Sequence, residues 1–246
     1  MLYLRRKERK GLRIGLFMLF LLPGVTCFGQ DKLQELFMEE HDTKPYYFGI
    51  TLAGNMARFQ TELHPSYLQQ DSIMVAEPLN SGGFGLGLLA TVKLSNRFEL
   101  RFNPTLIFME RDISYMMKYR DIDQGYNVIK KVESVMVSFP LQTKFLSDRI
   151  GNFRVYMLAG VKLDYDLASN AKARNADDMI KIGKIDYGVE AGIGFNFYNP
   201  SFILSPEIKI SNGLNNMHDR NPNLNFSSVI DRIQSRMIVF SIHLEG

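Results

Sequence analysis

The sequence predicts an all-β chain, an eight-stranded antiparallel transmembrane β-barrel with short periplasmic turns and long extracellular loops. Three observations predict it: an export label opens the chain, eight later segments alternate with period two, and the connections between them alternate short and long.

The export label explains a charge that otherwise misleads. The 246 residues carry a formal charge of +3, yet Arg5, Arg6, Lys7, Arg9, Lys10 and Arg13 face Glu8 alone. Without those six bases and one acid, 23 bases meet 25 acids, a net charge of −2, so the body of the chain has no basic surface for nucleic acid. After the basic run come Ile14 to Leu22, nine apolar residues, then Pro23-Gly24 and Cys27-Phe28-Gly29. Basic, apolar and small residues in that order make residues 1–29 a signal peptide cut after Gly29. Nine residues are too few for a membrane helix, which needs about 20. Cys27 raises the alternative of a lipoprotein cut, for which Thr26 is a poor preceding residue. Under the simpler cut the mature chain has no cysteine, which excludes disulfides and thiol chemistry.

Residues 30–45 form a periplasmic leader in which Leu33, Leu36 and Phe37 have helical spacing. It is expected to be a leader with one or two helical turns, or a short helix against the barrel's mouth. The barrel occupies residues 46–246. No stretch reaches 18 apolar residues, so an exported chain of this kind is either soluble or crosses the outer membrane with strands.

The strands are predicted at 46–57, 83–94, 97–109, 134–146, 153–167, 181–197, 202–212 and 235–244. In the first, Tyr46, Phe48, Ile50, Leu52 and Met56 oppose Tyr47, Gly49, Thr51, Ala53 and Asn55. The second sets Phe84, Leu86, Leu88 and Val92 against Gly83, Gly85, Gly87, Thr91 and Lys93. In the third, Phe98, Leu100 and Phe102 oppose Glu99, Arg101 and Asn103; in the fourth, Phe139, Leu141 and Phe145 oppose Ser138, Gln142 and Lys144. The fifth turns Val155, Met157, Val161 and Leu163 away from Arg154, Tyr156, Lys162 and Asp164. The sixth turns Ile185, Tyr187, Val189, Ile193, Phe195 and Phe197 away from Lys184, Asp186, Gly188, Glu190 and Asn196. The seventh opposes Leu204, Ile208 and Ile210 to Ser205, Glu207 and Lys209, and the last opposes Ile238, Phe240, Ile242 and Leu244 to Ser241 and His243.

A soluble sandwich alternates too, but it does not explain the connections. Links at 95–96, 147–152 and 198–201 are short, whereas those at 58–82, 110–133, 168–180 and 213–234 are long. Phe98, Phe145, Phe153, Phe197, Tyr198 and Phe202 cluster at the short turns, where a barrel needs an interfacial girdle. Glu99, Arg101, Lys144, Arg154, Lys162, Asp164, Lys184, Asp186, Glu190, Glu207 and Lys209 then form a lumen charge network. Eight strands leave only enough room for side chains, so the lumen is expected to be plugged.

No chemistry-bearing motif emerges. His41, His64, His218 and His243 lack metal-ligand spacing, so no metal, cofactor or catalytic residue is predicted. The glycines of 82–87 and Gly192-x-Gly194 complete no phosphate loop and fit an inward face. Asp177, Asp178 and Asp219 are expected to be solvated loop charges, with calcium binding as an alternative. Ser241 and His243 form a Ser and His pair only at the periplasmic rim, away from outer-leaflet lipid.

Leu100 to Phe108 with Arg111, Glu133-Ser134 through Phe139-Pro140-Leu141 to Lys144, and Arg149 to Gly160 resemble the outer-membrane barrel domain common in Bacteroidetes. Asp186 to Gly194, Ser205-Pro206-Glu207 through Ser211-Asn212-Gly213-Leu214, and Ser235-Arg236 resemble the PorT/SprT family of the type IX secretion and gliding-motility machinery. The resemblance implies a non-enzymatic accessory role in protein secretion, with outer-membrane lipid and other secretion-machinery proteins as partners. It names no site residues. The alternatives are a surface adhesion or ligand-binding barrel using its long outer loops, among them 212–225, and a lipid-modifying enzyme.

Overall fold

In the computed structural model, which describes residues 35–65, 73–121, 125–168, 182–218 and 229–246, the chain closes on itself as a barrel. The signal segment 1–29 with Cys27, and Asp177, Asp178 and Asp219, lie outside the described residues, as does the second half of the 212–225 loop. Among the described residues, one short helix, α1 (Glu39–Thr43), precedes ten strand segments. These are β1 (Tyr46–Leu63), β2 (Ile73–Pro78), β3 (Ser81–Lys93), β4 (Phe98–Phe102), β5 (Thr105–Asp121), β6 (Gly125–Leu146), β7 (Phe153–Asp166), β8 (Ile185–Tyr198), β9 (Ile203–Gly213) and β10 (Ile230–Glu245). Each strand pairs antiparallel with its neighbours, and β1 pairs with both β10 and β3, which closes the ring.

Ten segments make eight wall strands because two breaks are local. Phe102 faces Ala90 and Leu141, and Thr105 faces Gly87 and Ser138, so β4 and β5 keep one register across the gap. The gap is Asn103-Pro104: proline has no N–H for the ladder, while its carbonyl still accepts the Leu88 N–H at 3.0 Å. Between β2 and β3, residues 79–82 stand against 110–112, since Pro78 faces Ile113 and Gly83 faces Met109. One extra residue makes a bulge, and the strand continues.

Burial is inverted relative to a water-soluble fold. Leu88, Phe48 and Met157 are 64%, 61% and 60% exposed, whereas Arg101, Lys144 and Gln142 are fully buried. The alternation therefore points its apolar face outward, as a barrel in lipid requires. The short turns fall where the sequence puts them. Leu94 and Ser95 N–H groups both donate to the Phe98 carbonyl, and Asn199 N–H donates to that of Phe202.

Two expected loops turn out to be largely strand. β1 runs on to Leu63 and β2 occupies 73–78, within the predicted 58–82 loop; β5 and β6 extend a hairpin through most of 110–133. Polar residues stand on both faces there, among them Glu110, Asp112, Lys130 and Glu133, so the alternation vanishes while the backbone ladder continues. Asp112 faces Lys131, whose ammonium pairs diagonally with Glu110 at 2.8 Å.

Candidate functional site

The interior is built in layers. Nearest the short turns, Arg101 from β4 reaches across the lumen to the opposite wall, with Glu207 of β9 at 2.8 Å and Glu245 of β10 at 2.7 Å. Lys144 of β6 lies 3.3 Å from Glu99 and 3.9 Å from Glu245, and 4.2 Å from the Tyr156 ring centroid. Tyr47 donates to Glu99 at 2.7 Å and Tyr156 to Glu207 at 2.8 Å. His243 adds Nε2 at 3.4 Å from Glu207, with Nδ1 at 2.9 Å from the Thr51 hydroxyl. Three carboxylates thus share two fixed cations, two phenols and an imidazole, all buried. Such a cluster is held only if each charge keeps its partners.

At mid-height Lys209 pairs with Glu190 at 3.2 Å, and Gln142 donates to the same carboxylate. A cavity of about 20 Å³ among Thr51, Asn103, Thr105 and Ser241 has room for about one water. Above the apolar group of Ala57, Ile107, Met109, Met136 and Met237 lies a second charge layer. There Arg111 stands 3.5 Å from Asp166, donates to Ser134 and Ser235, and covers the Phe59 ring at 4.5 Å. Lys162 meets Asp164 at 2.5 Å, and Asp186 is buried beside them. Phe59, Ile113, Tyr115, Met217, Ile230 and Ile233 then cap the long-loop end with a buried apolar cluster.

The leader seats in the opposite mouth. His41 of α1 is buried, tilted over Tyr47 with ring centroids 4.5 Å apart and edge-on to Tyr198 at 6.5 Å. Lys93 donates to the His41 carbonyl. Arg149, from the β6–β7 turn, pairs with Asp42 at 2.7 Å, donates to the Phe37 carbonyl and lies 3.7 Å over the Tyr198 ring. Asn152 accepts the Phe37 N–H at 2.9 Å. Burial, with Lys93 adding to it, pushes the His41 imidazole down to about 4, so it seats uncharged at neutral pH.

Of the charges named from the sequence, Glu99, Arg101, Lys144, Glu190, Glu207 and Lys209 occupy the lower and middle layers, and Lys162, Asp164 and Asp186 the upper one. Two lie elsewhere. Lys184 is exposed: β8 begins at Ile185, so parity no longer directs the residue before it inward. Arg154 sits at the short-turn rim, donating to the Ser147 and Asn96 carbonyls and standing 3.9 Å from Asp42. Sequence parity missed Glu245 and Arg111, each of which continues the inward face of a strand just past its predicted end. Ser241 and His243 are both buried, and the imidazole is engaged by Thr51 and Glu207. Among the described residues no group of three or more His, Cys, Asp or Glu is placed to hold a metal ion.

Comparison with known proteins bears on the wall as a whole. The family model for the outer membrane protein beta-barrel domain matches residues 34–219. Among solved structures, the chain is similar to OprG from Pseudomonas aeruginosa, at 12% identity over 81% of this chain and 94% of that one, with a TM-score of 0.45. It is also similar to neisserial surface protein A (9% identity, 80% and 96% covered, TM-score 0.43). A third is Ail, the attachment invasion locus protein of Yersinia pestis, solved with the heparin analogue sucrose octasulfate (11% identity, 82% and 100% covered, TM-score 0.39). No curated protein matches the chain in sequence.

Proposed function

The chain belongs to the outer membrane protein beta-barrel domain family, and from that premise we propose that this integral outer-membrane barrel is a non-enzymatic accessory or assembly component of type IX protein secretion, with gliding motility as a linked process. One observation carries the reading: the lumen is filled, with room for about one water at mid-height, an apolar cap at one end and the leader at the other. Cargo does not pass through such a barrel, which leaves its rims as working surfaces. The resemblance of Asp186 to Gly194 and of Ser205 to Leu214 to the PorT/SprT family supports secretion as the process those rims serve.

The periplasmic rim is the contact surface for other secretion-machinery proteins in this reading. It carries Ile150, 78% exposed on a turn, beside the exposed Arg97–Asp148 pair at 3.0 Å. An apolar residue rimmed by opposite charges suits a protein contact. The test is deletion of the gene, with secreted cargo measured in the medium and complementation by the wild type or by Ile150→Asp with Arg97→Glu. Loss of secretion on deletion, restored by the wild type and not by the rim variant at equal barrel levels, supports the reading. Unchanged secretion on deletion overturns it.

A further inference from the structure

On the outer wall, at the end of the apolar band nearest the long loops, Arg58 of β1 and Arg236 of β10 stand directly opposite each other in register. Both are exposed, and neither forms an ion pair or hydrogen bond among the described residues. Like charges in facing positions repel. A wall that places two arginines in facing register is set up for an anion between them, and a phosphate takes paired, charge-assisted hydrogen bonds from two guanidinium groups that can reach it.

Beneath the arginines the same strands turn only apolar or small residues outward: Leu52, Gly54 and Met56 on β1, with Ile238, Phe240 and Ile242 on β10. Gly54 faces Phe240 on one side and Phe84 on the other, and a side chain there would meet nothing within 4 Å. The result is an outward groove of about 270 Å³, floored by the glycine and walled by the two phenyl rings. Arg58 lies four residues further along β1, about 13 Å at the rise of a β-strand. The arginines therefore sit where hydrocarbon gives way to headgroups.

The wall also opens beside them. β1 and β3 pair only as far as Ala57 and Ser81, and beyond that point β1 and β2 part around a cleft of about 460 Å³. Arg58, Gln60 and Arg236 line it, with Val75 and Glu77 from β2. Glu77 shares the cleft but forms no salt bridge with either arginine.

We propose that this face binds a phosphate-bearing lipid of the outer leaflet, its phosphate between Arg58 and Arg236, its polar head in the cleft and an acyl chain against Gly54. Charge complementarity selects the phosphate, and the continuous groove below selects a lipid over a soluble anion. The long-loop end of an outer-membrane barrel is the extracellular one, which selects the outer leaflet.

The test uses the mature chain folded in detergent micelles, with native mass spectrometry counting bound lipid and heat-modifiable gel migration confirming the fold. The probes are bisphosphorylated lipid A, the same lipid with its phosphates removed, and inorganic phosphate. Expected are retention of the bisphosphorylated lipid, at least about tenfold weaker retention by R58Q/R236Q, which removes both charge-assisted donors, and weaker retention by Gly54→Leu, which fills the groove. Lys44→Gln, which removes an exposed charge at the other rim, keeps wild-type retention. Equal retention by R58Q/R236Q, equal retention of the dephosphorylated lipid, or displacement of lipid by inorganic phosphate each overturns the proposal.

Discussion

The Arg101 guanidinium and the Glu245 carboxylate meet at 2.7 Å inside the barrel although 144 residues separate them in sequence. With its other nitrogen Arg101 holds Glu207 at 2.8 Å, so one cation ties β4 to both β9 and β10 across the lumen. Removing a partner from a buried pair costs about 3–5 kcal/mol, because the charge left behind keeps its desolvation penalty. Arg101→Gln should therefore lower the denaturant midpoint of the folded barrel, followed by the heat-modifiable band shift in lipid vesicles. Adding Glu207→Gln and Glu245→Gln should recover part of that loss, since no carboxylate then remains uncompensated by the missing arginine. A midpoint unchanged by Arg101→Gln would show that the layer does not brace the barrel.

The seated leader is sensitive to pH in one direction. A free imidazole titrates near 6.5 and His41 at about 4, so between those values the unseated leader binds a proton that the seated one does not. Seating weakens as pH falls from 6.5 and weakens no further below about 4. Lys93 faces His41 and works with burial, whereas Asp42, Glu99 and Glu245 oppose it; Tyr47 and Tyr198 contribute only their rings near neutrality. Protease clipping within 36–45 should accelerate between pH 7 and pH 5 in the wild type. His41→Phe keeps the ring contact and loses the proton, so its clipping rate should stay flat over that interval; equal pH dependence in both would assign the effect to another group.

What could be read from the sequence was whatever period two encodes. Glu99 and Arg101 are each flanked by apolar neighbours, and Gln142 and Lys144 lie between Leu141 and Phe145 with Thr143 between them, so their inward direction follows from parity, and the structure buries all of them. Parity stops informing where both faces turn polar. That is why the pattern ends the third predicted strand at residue 109, before Arg111, and reads the Asp112–Lys131 ladder as loop. Contacts set by ring closure were invisible for a different reason. Arg149 and Asp42 are 107 residues apart, and neither belongs to an alternating segment, so the helical spacing that offers a short helix at the barrel's mouth does not say which residues hold it there. The apolar cap of Phe59, Tyr115, Met217 and Ile233 escaped too, because inward apolar residues outside the membrane band look like loop hydrophobics.

Conductance separates a plugged lumen from a plugged mouth. If the leader alone closed the barrel, deleting residues 36–45 would open it. The layers between Glu99 and the apolar cap are filled by side chains on the wall itself, with about 20 Å³ left at mid-height. Purified protein in planar bilayers should show no steady single-channel conductance, either as the full mature chain or without 36–45. A stable conducting level in the deletion variant would place the seal in the leader.

Backbone approach at Gly194 supplies the sharpest packing test. A Cβ built there would lie 2.3 Å from the Tyr156 ring and 2.4 Å from its hydroxyl, which donates to Glu207 at 2.8 Å. Tyr156 is buried and stands over Lys144, so it cannot retreat without disturbing the charge layer. Gly194→Ala should destabilise the barrel by about 1–3 kcal/mol, the cost of overpacking a filled interior. Gly54→Ala adds the same methyl group where nothing lies within 4 Å and should leave stability within about 0.5 kcal/mol. Pairing Gly194→Ala with Tyr156→Ala should relieve the clash while exposing the loss of the Glu207 hydrogen bond, so the double variant should be no less stable than Tyr156→Ala alone. Equal denaturant midpoints for Gly194→Ala and Gly54→Ala would mean that the ring does not rest on the glycine.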